Sequence, residues 1–191
     1  MERNNRHKLL ACFDMDGTLY DTRTVNFKSY QYALNQFGFD LSYDFFVHSC
    51  NGKHYRSFLP KLMENANELI EEVHAIKKNI YNRFLGEAKR NDHLYDILIS
   101  IRNSYNTAIV TTASSKNTMD ILTFFGDEKY FDLILTQEDI KKKKPNPEGY
   151  NRAMKHFGNM PSETIIFEDS EDGVEAACRS GAFLYIVKGF A

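Results

Sequence analysis

Apolar residues in this chain arrive in short unbroken runs instead of alternating with polar ones, at residues 9–13, 107–110, 133–135, 164–167 and 184–187. Runs of that length are what strands need when helices cover both faces of a parallel sheet. Amphipathic segments at 115–125, 147–157 and 171–180 separate the later runs and are long enough to be crossover helices. Gly126, Gly158 and Gly181 follow those segments directly, where a left-handed residue closes a helix at little steric cost. The pattern predicts an α/β fold, a Rossmann-like parallel sheet core with helices on both faces. Such sheets bind ligands at the carboxyl ends of their strands. Four of the runs end there in polar side chains: Asp14, Thr111-Thr112, Thr136-Gln137 and Glu168-Asp169.

One interval breaks the rhythm. Between residues 22 and 90 no run reads as a strand, whereas helical spacing is visible near 25–37, 42–50, 54–65 and 68–85. In the first of these, Phe27, Tyr30, Ala33, Leu34 and Phe37 share one face. The spacing predicts an all-helical lobe inserted after the first strand, which divides the chain into an α/β core of residues 1–21 and 91–191 and a helical lobe of residues 22–90. The core resumes with a helix over 92–104 whose Leu94, Ile97, Leu98 and Ile101 mark the buried side.

Composition narrows the classes. With 42% hydrophobic and 26% charged residues the chain is balanced as a folded protein, and 191 residues suffice for one domain with a small inserted lobe. A formal charge of −2 provides no field to gather nucleic acid or an anionic membrane, so neither is an expected partner. The run at 9–13 is too short to cross a bilayer or to act as a secretory signal, which makes the cytoplasm the expected location. Cys12, Cys50 and Cys178 are odd in number and widely spaced, and the histidines are scattered, so neither a disulfide framework nor a zinc site is indicated.

The densest chemistry lies in Asp14-Met15-Asp16-Gly17-Thr18-Leu19-Tyr20-Asp21, directly after the first strand. Carboxylates two residues apart would face opposite sides of a continuing strand, but Gly17 lets the chain turn so that both reach one site. One can then attack phosphorus while the other protonates the leaving oxygen and later takes a proton from water. The segment resembles the first motif of the haloacid dehalogenase superfamily, Asp-x-Asp-Gly-Thr. That resemblance implies that Asp14 is transiently phosphorylated, that Asp16 is the acid–base and lends its backbone carbonyl to a metal ion, and that Gly17 and Thr18 help to bind substrate. The second aspartate, which the dehalogenases proper usually lack, favours phosphoryl transfer.

Three later segments are similar to the remaining motifs, in family order. Thr111-Thr112-Ala113-Ser114 resembles the second, where a hydroxyl and a neighbouring amide hold phosphoryl oxygens; Thr111 is the favoured hydroxyl, with Thr112 close behind. Lys144-Pro145-Asn146-Pro147 resembles the third, whose ammonium binds the nucleophile and the phosphoryl group together, whereas Lys141, Lys142 and Lys143 read as a solvated loop. Glu168-Asp169-Ser170-Glu171-Asp172-Gly173 is similar to the fourth, found in the subgroup with a helical cap after the first motif. Magnesium is the implied ion, held by Asp14, Asp169 and the Asp16 carbonyl, with Glu168 as direct ligand or water-mediated support. Asp172 suits a helix N-terminus as well as it suits metal support.

In the predicted cap, Asn51-Gly52-Lys53-His54 falls between the second and third helices, where caps of this subgroup often place a substrate-selecting loop. Gly52, Lys53 and His54, with Arg56, are therefore candidates for binding a polar or anionic substrate tail. The resemblance implies a phosphatase of a small phosphorylated metabolite. A sugar-phosphate mutase on the same core, like beta-phosphoglucomutase, is the alternative, and a non-catalytic binding protein is less consistent with the full set of motif residues.

Overall fold

The computed structural model describes residues 7–64, 66–188 and 190. Strand β1 (Leu9–Phe13) is followed by the two-residue β2 (Tyr20–Asp21) and then by helix α1 (Arg23–Asn35). A short α2 (Tyr43–Phe45) runs into a wider π-helical turn at Phe46–Cys50, and α3 (Tyr55–Leu62) and α4 (Ile70–Ile80) follow. A 3-10 segment, Tyr81–Glu87, leads to β3 (Lys89–Arg90) and α5 (Asp92–Ile101). The rest alternates strand and helix: β4 (Tyr105–Val110), α6 (Ser115–Phe125), β5 (Leu133–Leu135), α7 (Glu148–Phe157), β6 (Thr164–Glu168), α8 (Glu171–Ser180) and β7 (Phe183–Ile186).

Five strands form one parallel sheet in the order β5-β4-β1-β6-β7. β1 is central, and its side chains divide between two hydrophobic clusters. Ala11 and Phe13 pack into one with Leu94, Leu98 and Ile121, while Leu10 and Cys12 pack into the other with Tyr150, Ala153 and Ala177. This two-sided burial is why the strand reads as an unbroken apolar run, and each fully buried large side chain contributes about 1.5–3 kcal/mol. Gly126, Gly158 and Gly181 close α6, α7 and α8 in left-handed conformation, as their spacing predicts.

Among the described residues of 23–80 the regular elements are all helical, and they build a hydrophobic cluster of their own, around Leu34, Leu41, Phe46, Leu59 and Val73. Asn65, at the end of one predicted helix, lies outside the described residues, and α3 ends at Leu62. The expectation of no strand between 22 and 90 is corrected at one point, because Lys89–Arg90 pairs antiparallel with Tyr20–Asp21. Two charged residues carry neither alternation nor an apolar run, so the sequence gives no sign of this ladder. Arg90 then holds the buried Asp127 at 2.9 Å, and Tyr20 donates to the same carboxylate at 2.8 Å, which ties both crossings to the sheet layer. No helix among the described residues is long and apolar enough to cross a membrane.

Candidate active site

The site begins where β1 ends. The Asp14 amide still bonds the Phe167 carbonyl at 3.0 Å, and the Thr111 amide bonds Leu135 at 3.0 Å, so side chains from neighbouring strands emerge at one level of the rim. After Asp14 the chain folds back, with Gly17 N–H donating to Tyr20 at 2.8 Å and Leu19 N–H to Met15 at 3.0 Å. Gly17 sits at φ +92°, and a Cβ there would stand 2.1 Å from Asp169 Oδ2. A side chain is excluded on both conformational and steric grounds. The turn places Asp16 at the cleft, where its Oδ1 accepts from the Thr22 hydroxyl and lies 3.5 Å from Asn26 Nδ2.

Lys144 reaches Asp14 from the loop before α7. Its ammonium, on a side chain only 9% exposed, donates to Asp14 Oδ1 at 2.5 Å, Glu168 Oε1 at 2.6 Å and the Val110 carbonyl at 3.0 Å. Burial works to lower its pKa, but Asp14, Tyr150 and Glu168 outweigh that and raise it, so the group stays charged. Asp14 experiences the opposite imbalance. Burial raises its pKa, Lys144 opposes this, and Glu168 and Asp169 add to the rise. Asp169 is pushed up to about 6, first by burial and then by Glu168 and Asp16 against the Thr18 hydrogen bond and Lys144. One ammonium does not neutralise this group of carboxylates.

A family profile described as haloacid dehalogenase-like hydrolase matches residues 11–187, nearly the whole chain. The chain belongs to this family. A phosphorylated carbohydrates phosphatase of Thermotoga maritima is 30% identical over 88% of this chain and 80% of that protein. The fructose-1-phosphate phosphatase YqaB of Escherichia coli is 27% identical over 88% of this chain and 90% of its own length. The crystal structure of CbbY from Rhodobacter sphaeroides in complex with phosphate superposes with a TM-score of 0.84 at 21% identity, covering 96% of this chain and 87% of that one, and shows the shared fold.

In this dehalogenase-like hydrolase, oxygens of Asp14, Glu168 and Asp169 lie within 4.8 Å of one another. Their surroundings differ. Glu168 is fully buried, and its carboxylate is already engaged by Lys144, by Tyr150 Oη at 2.8 Å and by the Asp169 amide at 3.0 Å. A Cβ on Gly173 would stand 1.9 Å from Glu168 Oε1, so the first turn of α8 closes directly over that carboxylate. Asp169 instead opens to the cleft, where Thr18 holds its Oδ1 at 2.8 Å. Asp172 also borders the cleft from the first turn of α8.

The two candidate hydroxyls separate. Thr111 is 1% exposed, and its oxygen accepts the Ala113 N–H at 3.0 Å. Thr112 is exposed and lines the cleft with Ala113. The cleft, about 460 Å³, runs from Asp14 to the helical residues, where Gly52, Lys53 and His54 line it from the turn before α3. Gly52 adopts φ +75°, and Lys53 donates to Ser49 O at 3.0 Å.

The sequence reading passed over several groups that the structure brings here. Lys77 is 7% exposed and lines the cleft over the rings of Tyr81, at 4.6 Å, and Tyr30, at 5.3 Å. It donates to Asn117 Oδ1 of α6 at 3.3 Å. Burial pushes its pKa down to about 8, against the pull of Asp16. Its signal was present in the sequence: Lys77 stands on the stripe of Ile70, Val73 and Ile80 that α4 buries, an odd place for a lysine. Tyr150, Thr22 and Asn26 have no comparable signal.

Proposed function

We propose that this hydrolase is a magnesium-dependent phosphatase of small phosphorylated metabolites, with Asp14 as nucleophile and Asp16 as acid–base. The observation that carries the reading is the buried Lys144 ammonium bonded at once to Asp14 and Glu168, at the bottom of a cleft into which Asp16 and Asp169 open. Both relatives with named activities above are phosphatases. They favour water over a sugar hydroxyl as the phosphoryl acceptor, and hence a hydrolase over a mutase.

The donor set suits a hard divalent cation, being all oxygen and in excess of the single ammonium. Asp14, Asp169 and the Asp16 carbonyl would hold magnesium, with Glu168 in support through water because its own oxygens are engaged. When bound, the ion neutralises phosphoryl charge. Lys144 shares that task from the protein side and fixes the Asp14 carboxylate for in-line attack, while Glu168 and Tyr150 position Lys144. Asp16, oriented by Thr22, protonates the leaving alcohol and then activates the water that hydrolyses the aspartyl phosphate. Thr112, the hydroxyl that faces the cleft, binds the phosphoryl oxygens in place of the buried Thr111, together with Thr18 and the turn amides at Gly17. Residues 22–90 act as a cap over a core of residues 1–21 and 91–191, with Gly52, Lys53 and His54 meeting the rest of the substrate.

The test is phosphate release from a panel of metabolite monoesters, with magnesium or with a chelator. Hydrolysis of at least one ester that requires magnesium and falls by about a thousandfold or more in Asp14→Asn is expected. A fully active Asp14→Asn protein would remove the nucleophile assignment.

A further inference from the structure

Asp127 is 1% exposed, is not among the residues that line the cleft, and has no part in the chemistry proposed above. Its backbone amide closes α6 by bonding the Leu122 carbonyl at 2.9 Å, but its side chain makes no cap bond to the 3-10 turn Glu128–Tyr130 that it begins. The carboxylate serves the β2–β3 ladder instead. Tyr20 and Arg90 are directly opposed in that ladder, and both donate to Asp127, Tyr20 Oη to Oδ2 at 2.8 Å and Arg90 Nη1 to Oδ1 at 2.9 Å. Tyr95 of α5 completes the group. Its hydroxyl donates to Tyr20 Oη at 2.5 Å, because the Tyr20 proton is turned to Asp127, and the Arg90 guanidinium lies 4.6 Å from the centroid of its ring. Burial raises the pKa of both phenols, so both keep the protons that they donate.

The same tyrosine fixes the backbone on either side of Asp16. Tyr20 N–H donates to the Met15 carbonyl at 3.0 Å, and the Tyr20 carbonyl accepts from Gly17 N–H at 2.8 Å, so both residues that flank Asp16 are tied to it. Asp16 itself forms a bridge with Tyr20, and Thr22, two positions on, donates to Asp16 Oδ1. Displacing Tyr20 therefore moves the Asp16 carboxylate through backbone and side chain alike. Apolar contact around the tyrosine ring, such as the stacking on Phe125 with centroids 5.1 Å apart, buries it without setting a direction. Hydrogen bonds on two sides of its hydroxyl do set one. A buried ion pair adds little net stability over apolar side chains of the same size, so stability alone is a weak reason for a carboxylate at this place. A defined geometry is the stronger one.

We propose that Asp127, acting through the Tyr20 hydroxyl, is a positioning residue for Asp16: it holds the turn after β1 so that the acid–base carboxylate meets the leaving oxygen. The role rests on the phosphatase reading above, whereas the mechanical link from Asp127 to the turn does not. Arg90 supplies the countercharge that a buried carboxylate needs, and Tyr95 orients the Tyr20 hydroxyl. Proton transfer to a leaving oxygen is sensitive to such support, since misplacement by about 1 Å costs on the order of a hundredfold in rate. The loss falls on esters whose leaving oxygen needs a proton and spares those whose leaving group departs as a stable anion.

Two readouts on Tyr20→Phe and Asp127→Leu separate the link from its role. In amide hydrogen exchange followed by mass spectrometry, the peptide covering residues 14–21 is expected to exchange about tenfold or more faster than in the native protein, with β4 unchanged. For the role, kcat/KM is compared between an alkyl ester that the native enzyme hydrolyses and p-nitrophenyl phosphate, whose leaving group departs without a proton. Each variant is expected to lose about tenfold or more on the alkyl ester and less than about threefold on the aryl ester, and Asp16→Asn is expected to show the same split with a larger loss. The double variant should lose no more than its worse parent, because both changes cut one connection. Unchanged exchange in the turn, equal losses on two esters that Asp16→Asn tells apart, or losses that multiply in the double variant would overturn the inference. Equal losses in Asp16→Asn would remove the acid–base assignment and the role built on it. A native protein that hydrolyses neither ester would count against the phosphatase reading, with the link still decided by the exchange.

Discussion

The two walls of the cleft are built on opposite principles. On the sheet side the buried charges are partnered: Lys144 makes three hydrogen bonds, and Glu168 accepts from Lys144, Tyr150 and the Asp169 amide. On the helical side His54 Nε2 has no partner among the described residues, and Lys77 rests largely on aromatic faces, with one hydrogen bond of 3.3 Å there. A wall that is already satisfied holds its geometry before a ligand arrives, which is what phosphoryl chemistry needs. A wall with unmet donors gains most when a ligand supplies acceptors, which is what selection needs.

The strongest way to break that contrast is to empty the satisfied wall. Lys144→Met is expected to lower kcat/KM about a hundredfold or more. It should also cost about 3–5 kcal/mol of stability, because it leaves Asp14 and Glu168 buried without their cation. Phosphate release and urea denaturation measure the two effects. Magnesium should recover part of the lost stability, since it supplies positive charge to the same carboxylates.

A smaller effect sharpens the boundary between buried and cleft-facing residues. Thr112→Val is expected to lower kcat/KM about tenfold or more, while Thr111→Val stays within about twofold of the native value and loses about 1 kcal/mol of stability with its hydrogen bond to Ala113. The reverse ranking in steady-state kinetics would return the phosphoryl-binding role to Thr111.

The smallest effect is on the helical side and depends on pH. His74 stacks on Tyr55 with centroids 3.7 Å apart, and burial, then Lys77 and Lys78, push its pKa down to about 3. The folded ring therefore binds fewer protons than the unfolded one between about pH 3 and the ordinary value near 6.5. Stability is complete above that value and is lost as the pH falls through the window. His74→Phe keeps the stacking and removes the titration, so its melting temperature is expected to fall less steeply than the native protein's between pH 6.5 and 4. Parallel slopes would show that His74 is not the group responsible.

How much of this was legible in the sequence follows the same division. Strand runs, glycine helix ends and the aspartates after β1 are local signals, and each appears where its spacing predicts, within a residue or two. Glu168 was legible as a candidate acid for a metal site but not as the partner that positions Lys144, because that role depends on Tyr150 and on the closeness of Gly173. Thr111 and Thr112 are chemically alike, and only the way the chain leaves β4 decides which of them meets the cleft. Lys143 lines the cleft and is only partly exposed, yet it was read with its neighbours as solvent-facing, since nothing in a run of four lysines tells which of them turn inward. The ladder of Tyr20–Asp21 with Lys89–Arg90 joins segments too short to carry a pattern.

The central claim is that Asp14 carries the phosphoryl group between substrate and water. The most direct measurement is mass spectrometry of acid-quenched protein after mixing Asp16→Asn enzyme with an ester that the native enzyme hydrolyses. Loss of the acid–base should slow hydrolysis of the intermediate, so the peptide containing Asp14 is expected to gain the mass of one phosphoryl group, with no such gain when Asp14 is also replaced by Asn. Turnover that leaves Asp14 unmodified at every quench time, or an adduct on another residue, would contradict the account.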